Sequence, residues 1–508
     1  MLPPGWARTT LGEVAVLNPR PNGLPEDESS PVAFVPMAAV DEEHGGIARP
    51  EVRPLGEVKR GYTPFQSGDV LFAKITPCME NGKVAVVPGN LVGGVGFGST
   101  ELVVLRPEDG IEPRWLSRYL SQATFRRRAK RAMTGAVGQQ RVPKDFIEAE
   151  SLPVAPPPEQ QRIADVIDEL FSDLDAGVRA LERVKRNLER YRASILTAAV
   201  EGRLTADWRK THPDVEPASE LLKRILKERR KRWEEAQLAK HTARGKTPPK
   251  GWETKYKEPA PPDTSELPAL PKGWCWATID QVLSDGSYGT SVRCSYEVQG
   301  VPVLRIPNIV AGEIDLRDLK YSTKDLGDMG AKALVWGDIL VCRTNGSLDL
   351  VGKAAVVHAD LERPHYFASY LIRLRLIIPD ISAYVHVAMR STFGRKYIQR
   401  HAASSAGQHN ISLSSLRHFL LPLPPLEEQT ALFAQVDDAQ SMIQDTERSN
   451  ARVILRGAGL RRAILKRAFE GRLLPQDPND EPANRLLDRI RAARAVAAKE
   501  PRRRQNAS

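Results

Sequence analysis

PPPEQQRIADVID (residues 156–168) is answered later in the chain by PPLEEQTALFAQVDD (residues 424–438). Each stretch is a proline cluster, an acid beside Gln, and then apolar residues at helical intervals. Proline is tolerated in the first turn of a helix, where its missing N–H would have no partner anyway, and acids there complement the positive end of the dipole. Both stretches therefore predict the start of a helix. Gln160 and Gln429 lie 269 positions apart, and other landmarks keep nearly that interval. LPPGWARTTLGEV (2–14) matches LPKGWCWATIDQV (270–282), FQSGDVLFAK (65–74) matches VWGDILVCR (335–343), and NGKVAVV (81–87) matches VGKAAVV (351–357). TGAVGQQRV (134–142) matches SSAGQHNI (404–411), LPVAPPPEQQ (152–161) matches LPLPPLEEQ (421–429), and ILTAAVEGRL (195–204) matches ILKRAFEGRL (464–473). The blocks recur in one order, so the chain is an internal duplication.

Composition bounds the class. With 508 residues, 41% of them hydrophobic, the chain exceeds one core and suits about two to four domains. No run approaches the roughly 18 to 20 apolar residues of a membrane helix. The start, MLPPGWARTT, has neither a basic nor an apolar leader region. A cytoplasmic protein with no membrane partner is expected. Cys78, Cys275, Cys294 and Cys342 form no CxxC pair, which predicts free thiols and no zinc or other metal site. The net charge of +11 is uneven. Lys+Arg against Asp+Glu is 25 to 27 in residues 1–202 and 25 to 26 in 258–484, but 16 to 8 in 203–257 and 8 to 2 in 485–508. The excess sits in a linker and a tail, so the overall basicity says little about the globular parts.

Gly-Asp turns before apolar runs read as strands, and each copy predicts a mixed β-rich domain followed by one long helix, an α+β architecture with a pseudo-two-fold repeat. The domains fall at 1–155 and 269–422, and the helices at 156–204 and 423–474. A basic helix and linker occupy 205–268, and a basic tail occupies 475–508, ending in KEPRRRQNAS, a disordered composition. EPASELLKRI (216–225) resembles EPANRLLDRI (481–490), so the duplication extends past the long helices. In the first helix Ile163, Ile167, Leu170, Leu174, Gly177, Leu181, Val184, Leu188, Tyr191, Ile195 and Ala198 alternate steps of four and three, a coiled-coil seam. The second keeps that register at Leu432, Val436, Ala439, Ile443, Thr446, Asn450, Val453, Gly457, Leu460, Ile464 and Arg467, with a polar centre. A helix of ~45 residues spans roughly 65 Å and needs a partner. Its own duplicate, packed antiparallel with the β-rich domains at opposite ends, is the simplest one.

No catalytic constellation is found. An adenosylmethionine site would need a Gly-rich strand-turn-helix and an Asn/Asp-Pro-Pro-aromatic loop, and neither occurs. The GKT at Gly245 lacks the upstream glycine of a P-loop and falls in a linker. The nine histidines show no ligand spacing. What remains is a binding surface. Residues 113–144 hold nine Lys/Arg, including Arg126 and Arg127, and no acid. Residues 382–426 hold Arg390, Arg395, Lys396, Arg400 and Arg417, also without an acid. One such run reads as a solvated helix face, and its recurrence in both copies favours a polyanion surface. Each window contains a Gly-Gln loop, Gly138-Gln139-Gln140-Arg141 or Gly407-Gln408-His409-Asn410. Gln and Asn can pair bidentately with adenine, and Arg with guanine. A glycine turn capped by polar side chains is the alternative. Lys74, Lys83, Arg343 and Lys353 sit at turn edges, suited either to gripping phosphates or to ordinary exposure.

These landmarks together resemble the specificity subunits of type I restriction-modification systems. The motifs that carry the resemblance are the Pro-x-Gly-Trp opening, the Leu-Pro-(x)-Pro-Pro-(x)-Glu-Gln segment and the Glu-Gly-Arg-Leu helix end. The resemblance covers nearly the whole chain. It implies that each β-rich domain is a target recognition domain reading one half of a bipartite, asymmetric double-stranded DNA site. It also implies that the helix pair, marked by Ile163, Leu170, Leu181, Leu188, Val436, Ile443, Val453 and Leu460, is a spacer that docks two methyltransferase subunits. Those partners would use S-adenosylmethionine, and restriction subunits would use ATP and Mg2+, while this chain would bind no cofactor and catalyse nothing. The long basic insert departs from the commoner pattern. A stand-alone duplicated DNA-binding adaptor and a protein-only scaffold are the rival readings.

Overall fold

The computed structural model describes residues 2–42, 45–136, 138–310, 312–327, 332–358, 361–405 and 407–499. The chain forms two compact units, Met1–Arg183 with Asn450–Ser508, and Val184–Ser449. The last residues of the expected disordered tail, 500–508, lie outside the described ones.

In the first unit one four-stranded sheet has the order Ala15–Leu17, Leu102–Pro107, Val70–Ala73, Val84–Val86. Its apolar runs are continuous because both faces are covered. Val70, Phe72, Val103 and Leu105 face a core shared with helices. Leu71, Ala73, Leu102 and Val104 face a second core. A second sheet, Glu51–Pro54, Pro31–Val35, Val95–Gly98, Thr63–Gln66, includes one parallel pair, Pro31–Val35 with Val95–Gly98. The second unit repeats this plan. Leu283–Tyr288, Leu371–Leu376, Ile339–Cys342 and Ala354–Val356 form the first sheet, and Pro302–Leu304 pairs in parallel with Tyr366–Phe367 in the second.

The Gly-Asp blocks are staples of these sheets. Gly68 and Gly337 both adopt φ +84°, the left-handed conformation that glycine tolerates. Asp69, 1% exposed, accepts from the Gln66 amide at 2.8 Å and from Arg106 at 2.8 and 2.9 Å. Asp338, 0% exposed, accepts from the Val335 amide at 2.9 Å and from Arg375 at 2.8 and 2.7 Å. A buried carboxylate is tolerable because a bidentate guanidinium satisfies it.

The opening turn and the Pro-Glu-Gln segment meet in each unit. The strand Ala7–Thr10 pairs with Ser151–Val154, and Cys275–Thr278 with Leu420–Leu423. Trp6 Nε1 donates to Glu159 at 3.0 Å, and Trp274 Nε1 to Glu428 at 2.9 Å. Gln160 Nε2 turns back to Ala155 O at 2.8 Å, and Gln429 Nε2 to Pro424 O at 2.9 Å. The proline, acid and Gln motif is thus a latch joining each domain to its helix.

The helices run Pro157–Val200 and Leu426–Phe469, 44 residues each. In the first unit Ile163, Ile167 and Phe171 share a core with Leu465, Ala468 and Phe469. Asp175 pairs with Arg461, and Asn450 reaches Leu181 O, so residue numbers rise on one helix as they fall on the other. In the second unit Leu196, Ala199 and Val200 cluster with Leu432 and Val436, and Arg192 meets Glu447 at 3.3 Å. The expected seam departs from this at the middle. Val184, Tyr191, Val453 and Leu460 are 38%, 51%, 48% and 52% exposed, whereas Leu465, Ala468 and Phe469 are buried. The strict heptad is lost between Asn450 and Leu465, because an α-helix drifts relative to a 3.5-residue repeat over straight stretches.

The segment 475–508 is not simply a tail. Ala483–Lys499 is a helix whose first amide, Ala483 N, donates to Gly5 O at 2.8 Å, with Leu486, Leu487 and Ile490 in the core. The insert helix Ala218–Ala243 repeats this, with Ala218 N on Gly273 O at 2.8 Å and Leu221 and Ile225 buried. The helix ending each copy therefore caps the opening turn of the other copy's domain. The rest of the insert folds back on its helix through Trp233, Trp252 and Tyr256.

Candidate nucleic-acid interface

Lys74 follows the strand Val70–Ala73, and Arg343 follows Ile339–Cys342. In each unit the Gly-Gln loop, far away in sequence, returns to that strand end. Val142 N donates to Lys74 O at 2.9 Å, and Ile411 N to Arg343 O at 2.8 Å. Thr76 N donates to Gln140 O at 3.0 Å, and isolated bridges join Ile75 and Thr134 to Arg141. In the second unit the same stitching becomes a small sheet, Thr344–Asn345, Gln408–Asn410, Ala403–Ser405, with His409 opposite both Asn345 and Ser404. Gln139, Arg141 and Gln408 are exposed, and Gln140, His409 and Asn410 are half-buried. Backbone pairing thus ties each loop to its strand end and leaves its polar side chains exposed or half-buried.

The loop cations are oriented by neighbours. Arg141 grips Glu101 at 2.7 and 2.9 Å. The hydrogen bonds from Arg141, helped by its charge and that of Lys74, hold the Glu101 carboxyl below its usual range against the opposing effect of burial. Arg343 donates to Asn410 at 3.3 Å and lies 4.7 Å over the Tyr288 ring. Lys74, Gln140 and Arg141 are brought together, as are Arg343, Gln408, His409 and Asn410.

Other candidates act within the fold. Lys83 Nζ donates to Met37 O at 3.1 Å, and Lys353 is half-buried. Arg126 donates to Glu80 O at 2.8 Å, and Arg395 to Val351 O at 2.7 Å and Asp349 O at 3.1 Å. Burial pushes both guanidinium pKa values down. Each packs over a left-handed glycine, Gly82 at φ +89° or Gly352 at φ +77°, fastening a helix to a turn. Arg127 and Lys396, one position later, are exposed.

The acid-free windows overstate the free charge, because folding brings acids from outside them. Arg114 and Arg118 pair with Asp168, Arg128 with Glu150, Lys130 with Glu80 and Lys144 with Glu148. In the second window Arg417 lies 3.8 Å from Asp280. His386 is buried on Ala354 O, and burial pushes it down to about 3. Of the first window, Arg127 and Arg131 have no acidic partner among the described residues.

The helix positions divide likewise. Ile163, Val436 and Ile443 are buried, Leu170, Leu181 and Leu188 half-buried, and Val453 and Leu460 exposed. Sequence reasoning missed the Trp-Glu latch and the Tyr119 and Tyr384 hydroxyls, which donate to Ser151 O and Pro422 O. The paired Pro-x-Gly-Trp and Pro-Glu-Gln motifs carried that signal.

Residues 3–183 match the family described as the type I restriction modification DNA specificity domain. The chain is 29% identical over 498 residues to the type I restriction enzyme EcoEI specificity subunit of Escherichia coli, spanning 86% of this chain and 78% of that one. It is 22% identical over 502 residues to the EcoKI specificity subunit of Escherichia coli strain K12, spanning 91% and 96%. Both of these relatives are type I restriction specificity subunits, and the chain resembles them over most of its length. The HsdS subunit from Thermoanaerobacter tengcongensis shares the fold, with a TM-score of 0.52 at 20% identity over 93% of this chain and 98% of that one. A chain from a structure of type I R-M complex assembly reaches 0.57 at 21% identity over 93% and 100%. The α+β fold of this chain thus resembles that of the HsdS subunit. Among the described residues no helix is long and apolar enough to cross a membrane, and no group of His, Cys, Asp or Glu could hold a metal ion.

Proposed function

We propose that the two β-rich domains are target recognition domains, each reading one half of a bipartite, asymmetric DNA site, and that the chain itself is not catalytic. The observation that carries this is the repeated stitching of a polar loop to a basic strand end, Gln140–Arg141 beside Lys74 and Gln408–Asn410 beside Arg343. Backbone-ordered Gln, Asn and Arg side chains at a surface are the groups that discriminate base edges in a major groove, while Lys74, Arg127, Arg343 and Lys396 suit phosphates that position without specifying. Two different loops, QQR and QHN, imply two different half-sites.

The long helices fix the gap between the half-sites and dock two methyltransferase subunits, which supply the S-adenosylmethionine chemistry. Exposed apolar residues along them, among them Val453, Leu455 and Leu460, favour protein contact over solvent. Restriction subunits using ATP and Mg2+ complete the assembly. The test is to express the chain with the methyltransferase encoded beside it and map modified adenines. Two short sequences at a fixed separation are expected, and modification without sequence preference would refute the reading.

A further inference from the structure

The two copies differ where the helical part of each domain faces its long helix. In the first unit a cleft of about 1000 Å³ opens there. Its lining includes Arg8, Arg127 and Arg462, Lys466 paired with Glu470, the acids Glu42 and Glu150, and the rings of Tyr119, Phe171 and Phe469. Arg8, Arg127 and Arg462 are exposed and have no acidic partner among the described residues. Two further lining groups are buried hydrogen-bond donors with no partner among the described residues, Gln122 Nε2 and Arg126 Nε. Gln122 sits at the N-cap of the helix Ala123–Ala132 without capping it by its side chain. The three guanidinium groups without acidic partners, gathered around one cleft, fit an oxygen-rich anion.

The second unit has closed the equivalent place. Strand register makes Trp276, opposite Pro422, the counterpart of Arg8, opposite Pro153. Trp276 packs on Phe393, ring centroids 6.0 Å apart, and Phe393 holds the helix position that Thr124 holds in the first unit. Thr197 donates to Thr392 at 3.0 Å, bridging long helix to domain. Ser391, at the position of Gln122, is buried and caps its helix by accepting from Gly394 N at 3.1 Å. One copy has an aromatic plug and a satisfied cap, and the other has cations and unsatisfied donors.

We propose that the first unit's cleft is a phosphate site that grips the DNA backbone away from the base-reading loop, a grip the second unit does not have. The inference rests on the DNA-reading role proposed above. The helix Ala123–Ala132 connects the cleft, at its N-terminal end, to the loop 134–142 that follows its C-terminal end. Phosphate contacts at the cleft would be independent of base identity.

Two variants of the full-length chain test it. Arg8→Ala/Arg462→Ala removes two cations, and Arg8→Trp/Thr124→Phe grafts the second unit's plug. Binding is read by fluorescence anisotropy over a salt series, using a duplex with the chain's own modified sequence and an unrelated duplex of equal length. Both variants are expected to bind about tenfold more weakly near physiological salt, by the same factor on both duplexes, with the log-log salt slope reduced by about 0.9 for each phosphate no longer neutralised. Unchanged affinity and slope in both variants, with the wild type binding normally, would overturn the cleft proposal and leave the DNA-reading role standing. Failure of the wild type to bind either duplex would remove that role and this proposal with it. If inorganic pyrophosphate raises the melting temperature of the wild type but not of the variants, while duplex binding is identical, the site takes free phosphate and the backbone grip is refuted.

Discussion

Asn450 Nδ2 donates to Leu181 O at 2.9 Å, across 269 positions of sequence. That separation is the interval of the duplication, so here a residue touches its own counterpart. The contact lies between antiparallel helix segments of the first unit. Asn450 is 7% exposed, and its Oδ1 has no partner among the described residues. A lone polar residue at a helix seam selects register at a cost in stability. Asn450→Leu is expected to stabilise the chain by about 1 kcal/mol, seen as a higher urea midpoint at unchanged slope. A lower midpoint would mean that the amide contributes more than its burial costs.

Glu159 and Glu428 occupy equivalent positions but have different partners. Glu428 receives hydrogen bonds from Trp274, Thr205 and Arg209, the last a charged pair. Glu159 receives them from the neutral Trp6 and Gln476, and burial raises its carboxyl pKa. A carboxyl with a raised folded pKa binds its proton more tightly in the native state. Its contribution to stability is therefore greatest at low pH and declines as pH rises from the unfolded value through the folded one. Glu159→Gln keeps an acceptor for Trp6 and should be neutral or slightly stabilising at pH 7, flattening that decline. Glu428→Gln strands Arg209 and should cost about 3 kcal/mol. Thermal melts of the two variants that shifted equally would contradict this asymmetry.

Asp69→Asn should destabilise the first unit by about 3 kcal/mol, since it leaves the Arg106 guanidinium without its bidentate partner. Asp338→Asn should do the same to the second unit through Arg375. Hydrogen exchange localises the effect: protection should fall in the sheet around Val70–Ala73 for one variant and around Ile339–Cys342 for the other. A shift smaller than about 1 kcal/mol would show these acids to be peripheral.

Replacing Gln139, Gln140 and Arg141 by alanine is expected to change one half of the modified sequence and spare the other. Glu101→Gln releases Arg141 from its ion pair and should broaden the same half. Because Arg141 holds the Glu101 carboxyl below its usual range, acidification should release Arg141 only below the ordinary carboxylate titration. A change in the half-site assigned by the proposal to Gln408–Asn410 would contradict the division between copies.

The duplication, the paired domains and the long helices were legible because they leave repeated local patterns: proline clusters, Gly-Asp turns and apolar periods. The start of the first helix was readable for a local reason, since Pro157 is tolerated in a first turn and not in a helix interior, and Glu159 complements the positive end of the dipole. What periodicity did not reveal was register along the pair. Val453 and Leu460 fit a heptad in sequence yet face solvent, because the true seam shifts to Leu465, Ala468 and Phe469. Charge was misread for a similar reason. Arg114, Arg118 and Arg128 stand in a window without acids, but Asp168 and Glu150 reach them only after folding. The cleft was invisible because Arg8 and Arg462 come together only through tertiary structure. Trp276 and Phe393 mark its closed counterpart, yet as isolated residues they read as ordinary core.

The most direct measurement of the central claim, that paired helices set the gap between two readers, is adenine-modification mapping of a chain lengthened by one helical turn. Gly177 and Gly459 suit the insertions, since both lie on the long helices with open space around them and near the Asp175–Arg461 pair. Four residues added at each should lengthen the gap between half-sites by about two base pairs, from ~6 Å of added rise against ~3.4 Å per base pair, with both half-sites unchanged. Modification at the original gap would contradict the account.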